Sequence, residues 1–133
     1  IMKNYLIKLG KKAKKASIKS VTSKKKDKVL QDYYNLIFKN QSSIIKENKK
    51  DIKQAKNKRL KENLIKRLLI DKKKILQILK SIRMIKRFKD PVNQVLESWK
   101  RSNGLKISKV TTSIGVIAVI YESRPNVTSD VAS

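Results

Sequence analysis

The chain has 133 residues, 35 of them Lys or Arg and 10 Asp or Glu, so its formal net charge is +25, and it contains neither Cys nor His. Within these residues that excludes thiol catalysis, a Ser-His-Asp triad, a zinc finger, imidazole acid–base chemistry and a disulfide framework. Apolar residues make up 39%, and the longest apolar run is eight residues, far short of the ~20 that span a bilayer; neither a signal peptide nor a membrane partner is expected.

The first ninety residues carry helical periodicity. Met2, Tyr5, Leu6, Leu9, Ala13 and Ala16 fall on one face of a first helix, with Lys on the other. Thr22 and Ser23 offer an N-cap for a second helix bearing Val29, Leu30, Tyr33, Tyr34, Ile37 and Phe38. Ser42 or Ser43 can cap a third, with Ile44, Ile45, Ile52 and Ala55. A short fourth helix carries Leu60, Leu64, Leu68 and Leu69. Asp71 caps a fifth, in which Ile75, Leu76, Leu79, Ile82 and Ile85 face inward, and Asp90-Pro91 ends it, because a residue before Pro is pushed out of the helical region.

After Pro91 the period changes from 3.6 to 2. The runs 94–99 and 105–110 flank Ser102-Asn103-Gly104, and Asn-Gly between two extended runs is a strong hairpin signal. Trp99 reads as a packing residue beside the turn. The run from Ile114 to Tyr121 is apolar, rich in β-branched residues and does not alternate, so it predicts a strand buried on both faces, as in the interior of a parallel sheet. Glu122 to Asn126 follow as a polar loop, and Thr128, Ser129 and Asp130 supply N-cap chemistry for a helix running on from Val131. The twelve residues after Tyr121 are too few for a crossover to a parallel partner. The expected architecture is therefore an α/β fold in truncated form: a helical layer over 1–90, a β-hairpin over 91–113, and the first strand and helix start of a nucleotide-binding core over 114–133.

The charge favours polyanions, because each Lys that neutralises a phosphate releases a counterion. Lys outnumbers Arg 29 to 6 and there are seven aromatic residues, whereas nucleic-acid readers favour Arg forks and stacking aromatics. Non-specific polyanion binding is expected in any case. A Lys-rich helical module that binds nucleic acid or acidic partners stands as an alternative function.

The stretches Asp90-Pro91-Val92, Val95-Leu96-Glu97-Ser98-Trp99, Asn103-Gly104-Leu105 and Gly115-Val116-Ile117, and above all Val119-Ile120-Tyr121-Glu122-Ser123-Arg124-Pro125-Asn126-Val127-Thr128, resemble the N-terminal part of the γ-glutamyl phosphate reductases, also called glutamate-5-semialdehyde dehydrogenases, of the aldehyde dehydrogenase superfamily. Weaker similarity extends back through Asn48, Asp51, Ala55, Leu64, Arg67 and Leu68. The resemblance implies an aldehyde-dehydrogenase-like fold and NADPH-dependent reduction of L-glutamyl 5-phosphate to glutamate 5-semialdehyde in proline biosynthesis, in the cytoplasm. It also implies that the hairpin is an oligomerisation arm and that residues 1–90 layer a cofactor-binding domain. In the family a Cys thiolate attacks the acyl phosphate and the resulting thioester receives hydride from the cofactor, a nucleophile splitting one hard step in two.

Carried onto this sequence, the resemblance gives Asn126 the place of an oxyanion-hole donor, and gives Ile120, Tyr121, Glu122, Ser123, Arg124 and Pro125 the loop that lines the cofactor and substrate crevice. From the residues alone, Asn126 reads as a loop Asn with local hydrogen bonds and Arg124 as a solvated charge. With no Cys in the chain, the expectation is an N-terminal fragment that is inactive alone, completed by a separately encoded C-terminal piece or surviving in a homo-oligomer, from a split or decayed gene. Several positions depart from the family pattern: Asn93 and Arg59 stand where Gly is usual, Ser102 and Ser113 where Pro is usual, and Ala118 where a strand Gly is usual. If φ is positive at Arg59, that departure costs about 1 kcal/mol.

Overall fold

A computed structural model of the chain describes residues 2–19, 21–122 and 124–133. Seven elements follow in order: α1 (Met2–Ser17), α2 (Ser23–Asn57), α3 (Glu62–Leu68), α4 (Lys72–Lys86), β1 (Val95–Lys100), β2 (Lys106–Val110) and α5 (Pro125–Ala132). They sort into two compact units, one of residues 1–21 and 89–118 and one of residues 22–88 and 119–133.

The larger unit is a helical one. Thr22 caps α2, its hydroxyl accepting from the Lys25 amide, and the helix then runs for 35 residues, about 52 Å at 1.5 Å per residue. The second and third helices expected from sequence are thus a single helix. Ser42 and Ser43 do not interrupt it, because no Gly or Pro lies between 23 and 57 and an internal Ser costs at most about 0.7 kcal/mol. The buried stripe also runs straight past them, through Ile37, Ile44, Ile45, Asn48, Ile52 and Ala55.

Against that stripe pack Ile70 and the inner face of α4, where Ile75 and Ile82 are each 1% exposed and Ile78 and Leu79 are buried beside them. Leu30, Tyr33 and Tyr34 of α2 close the cluster at one end. The expected Asp71 cap forms, with the Lys74 amide donating to Oδ1 at 2.7 Å. Phe38, expected in the core, is instead 54% exposed, its ring stacked on Tyr34.

Where α2 ends, Leu60 N–H donates to Ala55 C=O and Arg59 N–H to Lys56 C=O, the pair of bonds that defines a Schellman motif. Its C′ residue must be left-handed, and Arg59 has φ +53°, as its usurpation of a Gly position predicts. α3 and α4 meet at residues 68–71. There Asn48, 4% exposed, donates from Nδ2 to Leu68 C=O at 2.9 Å and accepts at Oδ1 from Ile70 N–H at 2.6 Å. Lys74 Nζ adds a bond to Leu69 C=O at the C-terminal end of α3.

In the smaller unit the expected hairpin forms, β1 pairing antiparallel with β2 so that Glu97 faces Lys109, Ser98 faces Ser108 and Trp99 faces Ile107, with an irregularity between Val95 and Glu97. The turn is a three-residue loop, Ser102-Asn103-Gly104. Gly104 N–H donates to Arg101 C=O, Arg101 N–H donates to Leu105 C=O, and Gly104 alone of the loop residues has positive φ, +87°, the type I turn with a following bulge that suits three-residue hairpins. Thr111 fastens the open end: its hydroxyl donates to Pro91 C=O and accepts from Gln94 N–H, while its backbone bonds Asn93 and Gln94. Asn93 reaches these bonds with φ +61°.

The doubly buried strand expected over 114–121 is absent. Residues 111–122 carry no strand, and Ile114 and Ile120 are 92% and 99% exposed. A ladder needs a neighbouring strand to take up its amides and carbonyls, and among the described residues β1 and β2 pair only with each other. The helix expected to start near Val131 begins instead at Pro125, because Pro at the first helical position lacks an amide that would be orphaned there anyway.

Two stability changes follow. Asn48→Ala strips partners from a buried amide and a carbonyl, and thermal or urea melts followed by circular dichroism should show a loss of about 2–4 kcal/mol. Arg59→Gly should add about 1 kcal/mol in the same assay by relieving the left-handed backbone.

Candidate functional site

The residues singled out by sequence lie at 120–126, where the extended segment turns into α5. That turn has three physical determinants. Arg124 adopts φ −135°, ψ 79° at the N-cap position with no side-chain cap, Pro125 starts the helix, and Tyr121 Oη lies 2.7 Å from Thr128 Oγ1. The last bond ties the end of the extended segment to the second turn of α5. The helix is anchored in turn: Ser129 is 5% exposed, and α5 lies against α4.

Within this frame the site residues fall into two groups. Ile120, Glu122 and Arg124 are exposed, and Ser123 lies outside the described residues. Tyr121, although exposed, is held by Thr128. Pro125 and Asn126 are half-buried in the first turn of α5 rather than in a loop, which corrects the sequence-based placement. Asn126 Nδ2 lies 3.3 Å from Asp130 Oδ2, one turn on. Asp130 takes one of the two N–H bonds of the amide, and this fixes which end of the amide carries the nitrogen; the second N–H can serve an oxygen ligand.

Pro125 also forms one wall of a shallow cleft whose other wall is α2, through Ser43, Ile44, Glu47, Asn48 and Asp51, with Ile70 between. This α2 contribution is not apparent from periodicity, which marks only the apolar stripe. The residues that bear it, Asn48 and Asp51, belong to the weaker part of the resemblance. In chemical terms the site holds polar and positively charged groups that can bind and orient: the Asn126 amide, the Arg124 guanidinium and the Tyr121 hydroxyl. Among the described residues there is no group of acidic residues suited to a metal ion, and no thiol, since the chain has no Cys.

Comparisons with known proteins agree on one enzyme. No family model matches the chain. The γ-glutamyl phosphate reductase of Nautilia profundicola is 49% identical over 107 residues, 80% of this chain and 26% of the relative. That of Clostridium tetani is 41% identical over 131 residues, 97% of this chain and 31% of the relative. The crystal structure of γ-glutamyl phosphate reductase from Thermotoga maritima superposes with a TM-score of 0.87 at 34% identity, over 95% of this chain and 31% of that one. The chain therefore spans about 30% of the length of the proteins it matches, and its fold is the fold of that part of them.

The Tyr121–Thr128 bond gives a local test. Tyr121→Phe should leave the helical content unchanged while speeding hydrogen exchange of the α5 amides by up to about tenfold, the loss of one partly exposed hydrogen bond.

Proposed function

We propose, for a chain homologous to the γ-glutamyl phosphate reductases over about 30% of their length, that it supplies the amino-terminal part of such a reductase. The reaction is NADPH-dependent reduction of L-glutamyl 5-phosphate to glutamate 5-semialdehyde with release of phosphate, a step of proline biosynthesis in the cytoplasm. The observation that carries this reading is the match of sequence and fold over most of the chain, 41% identity over 97% of it with one relative and a TM-score of 0.87 over 95% of it with another, joined to a backbone that presents Asn126 in the first turn of a helix.

In this reading Asn126 is the oxyanion donor. Attack on the acyl carbon drives charge onto the carbonyl oxygen, and an amide N–H already aimed at that oxygen stabilises it without reorganisation. Asp130, holding the other N–H, keeps the amide from flipping its oxygen toward the developing anion. Tyr121, bonded to Thr128, anchors the turn whose residues Ile120, Glu122, Arg124 and Pro125 line the cofactor and substrate crevice in this reading. Arg124, exposed and cationic, is suited to the phosphate groups of substrate or cofactor.

These residues fit an anionic nicotinamide cofactor in charge and in their place at a helix start, and when bound it supplies the hydride. The nucleophile is a thiol outside these 133 residues, which contain no Cys, so the purified chain alone is expected to show no reductase activity. The helices of 1–90 form the outer layer of the cofactor-binding domain, the hairpin within 91–113 is an oligomerisation arm, and 114–121 is the strand that a complementing C-terminal segment or a second copy would pair.

A chimera tests the proposal. Residues 1–133 replace the matching segment of the Thermotoga maritima relative, and γ-glutamyl phosphate-dependent NADPH oxidation is followed by absorbance. The chimera is expected to be active, and Asn126→Ala within it to lower kcat by about a hundredfold to a thousandfold with little change in KM, the usual effect of deleting an oxyanion donor. A folded, oligomeric chimera without activity, beside an active parent, overturns the reading.

A further inference from the structure

We propose that the flank of the helical unit built from Tyr34, Phe38 and Arg83, and continued along α4 by Lys73, Lys80 and Arg87, binds single-stranded nucleic acid. The proposal is independent of the reductase reading and starts from an aromatic ring in an unexpected place. Phe38 falls on the α2 stripe that should be buried, yet it is 54% exposed. Its ring stacks on Tyr34, 6° from parallel with centroids 6.3 Å apart. Tyr34 is itself held by the Arg83 guanidinium, whose carbon sits 4.5 Å from the ring centroid. An exposed, pre-oriented ring beside a guanidinium is a stacking platform for a planar base, and it needs little ordering when the base arrives.

The charge around it has the matching form. From Lys72 to Lys89 there are eight basic residues and no acidic one. Lys73, Lys80 and Arg87 repeat at seven-residue spacing and all three are exposed, so they mark a line of positive charge along α4 about 21 Å long. Arg83 joins that line to the aromatic stack. The nearest acidic residue on α2, Asp32, is two positions from Tyr34 and therefore points away on the far side of the helix.

These features select among anionic partners. Exposed Leu76 and Met84 sit between the cations of this line, but a lipid surface calls for a broad apolar face, which single residues set among Lys and Arg do not make. A duplex hides its base faces in the stack, and inorganic polyphosphate has none. A single strand supplies both the phosphates for the Lys and Arg line and an unstacked base for Phe38.

Binding of a short fluorescein-labelled oligothymidylate to the full chain, followed by anisotropy, tests this. Phe38→Leu is expected to weaken binding about tenfold and Phe38→Trp to preserve it, with circular dichroism unchanged in both. Displacement by inorganic polyphosphate should be insensitive to either change. Arg87→Gln should weaken oligonucleotide and polyphosphate alike and lower the slope of log affinity against log salt by about 0.7. The proposal is overturned by any of three results: Phe38→Leu binding like the unaltered chain, duplex DNA binding as tightly as the single strand, or capture by phosphatidylserine vesicles without binding of the oligonucleotide.

Discussion

A single carboxamide joins three of the helices. Asn48 projects from α2 to the junction of α3 and α4, where it donates to Leu68 C=O and accepts from Ile70 N–H. One group ends α3 and the other lies in the three-residue connection that follows it, and without Asn48 they would be half-buried and buried without partners. Burying a polar side chain is costly unless its bonds are made, and here both ends of the amide are used. With the junction fixed, Ile70 enters the core and Asp71 is placed to cap α4. The inner face of α4, Ile75 to Ile82, then meets the α2 stripe. The same residue lies on the cleft beside Pro125, so the clamp that orders the core also shapes the wall opposite the candidate site.

How far this could be read from sequence depended on whether the determining interaction was local. The Asp71 cap and the hairpin about Asn103-Gly104 are set by neighbours within a few residues, and they form as expected, whereas α4 stops at Lys86, short of the Asp90-Pro91 pair expected to end it. The left-handed backbone at Arg59 was also legible, from the Gly that the family resemblance places there, whereas that at Asn93 emerged only from the structure. Ser42 and Ser43 misled because capping chemistry is only permissive; with no breaker and an unbroken stripe, the helix continues. Asn48 could not be assigned its role, since its partners lie 20 and 22 residues away and an Asn in an apolar stripe has no periodic signature.

The region 114–133 shows the opposite limit. Its composition states what environment the segment suits, a sheet interior, but a strand exists only where a second one offers an edge. In the described residues the segment carries no strand, and Ile114 and Ile120 lie in solvent. The turn into α5 is nevertheless set within this stretch, by Pro125 and the Tyr121–Thr128 bond, while α4, far back in the chain, supplies the face on which α5 packs. The turn is thus local, whereas the packing beneath α5 and the sheet that the segment is patterned for are not.

Trp99, the sole tryptophan, sits on β1 opposite Ile107 and is 43% exposed. The long helices α2 and α4 contain none. Indole emission therefore monitors the hairpin alone, while the amide absorption of helices monitors mainly the other unit. Transitions recorded by the two optical signals report on separate cooperative bodies, and their coincidence or divergence measures whether the chain melts as one.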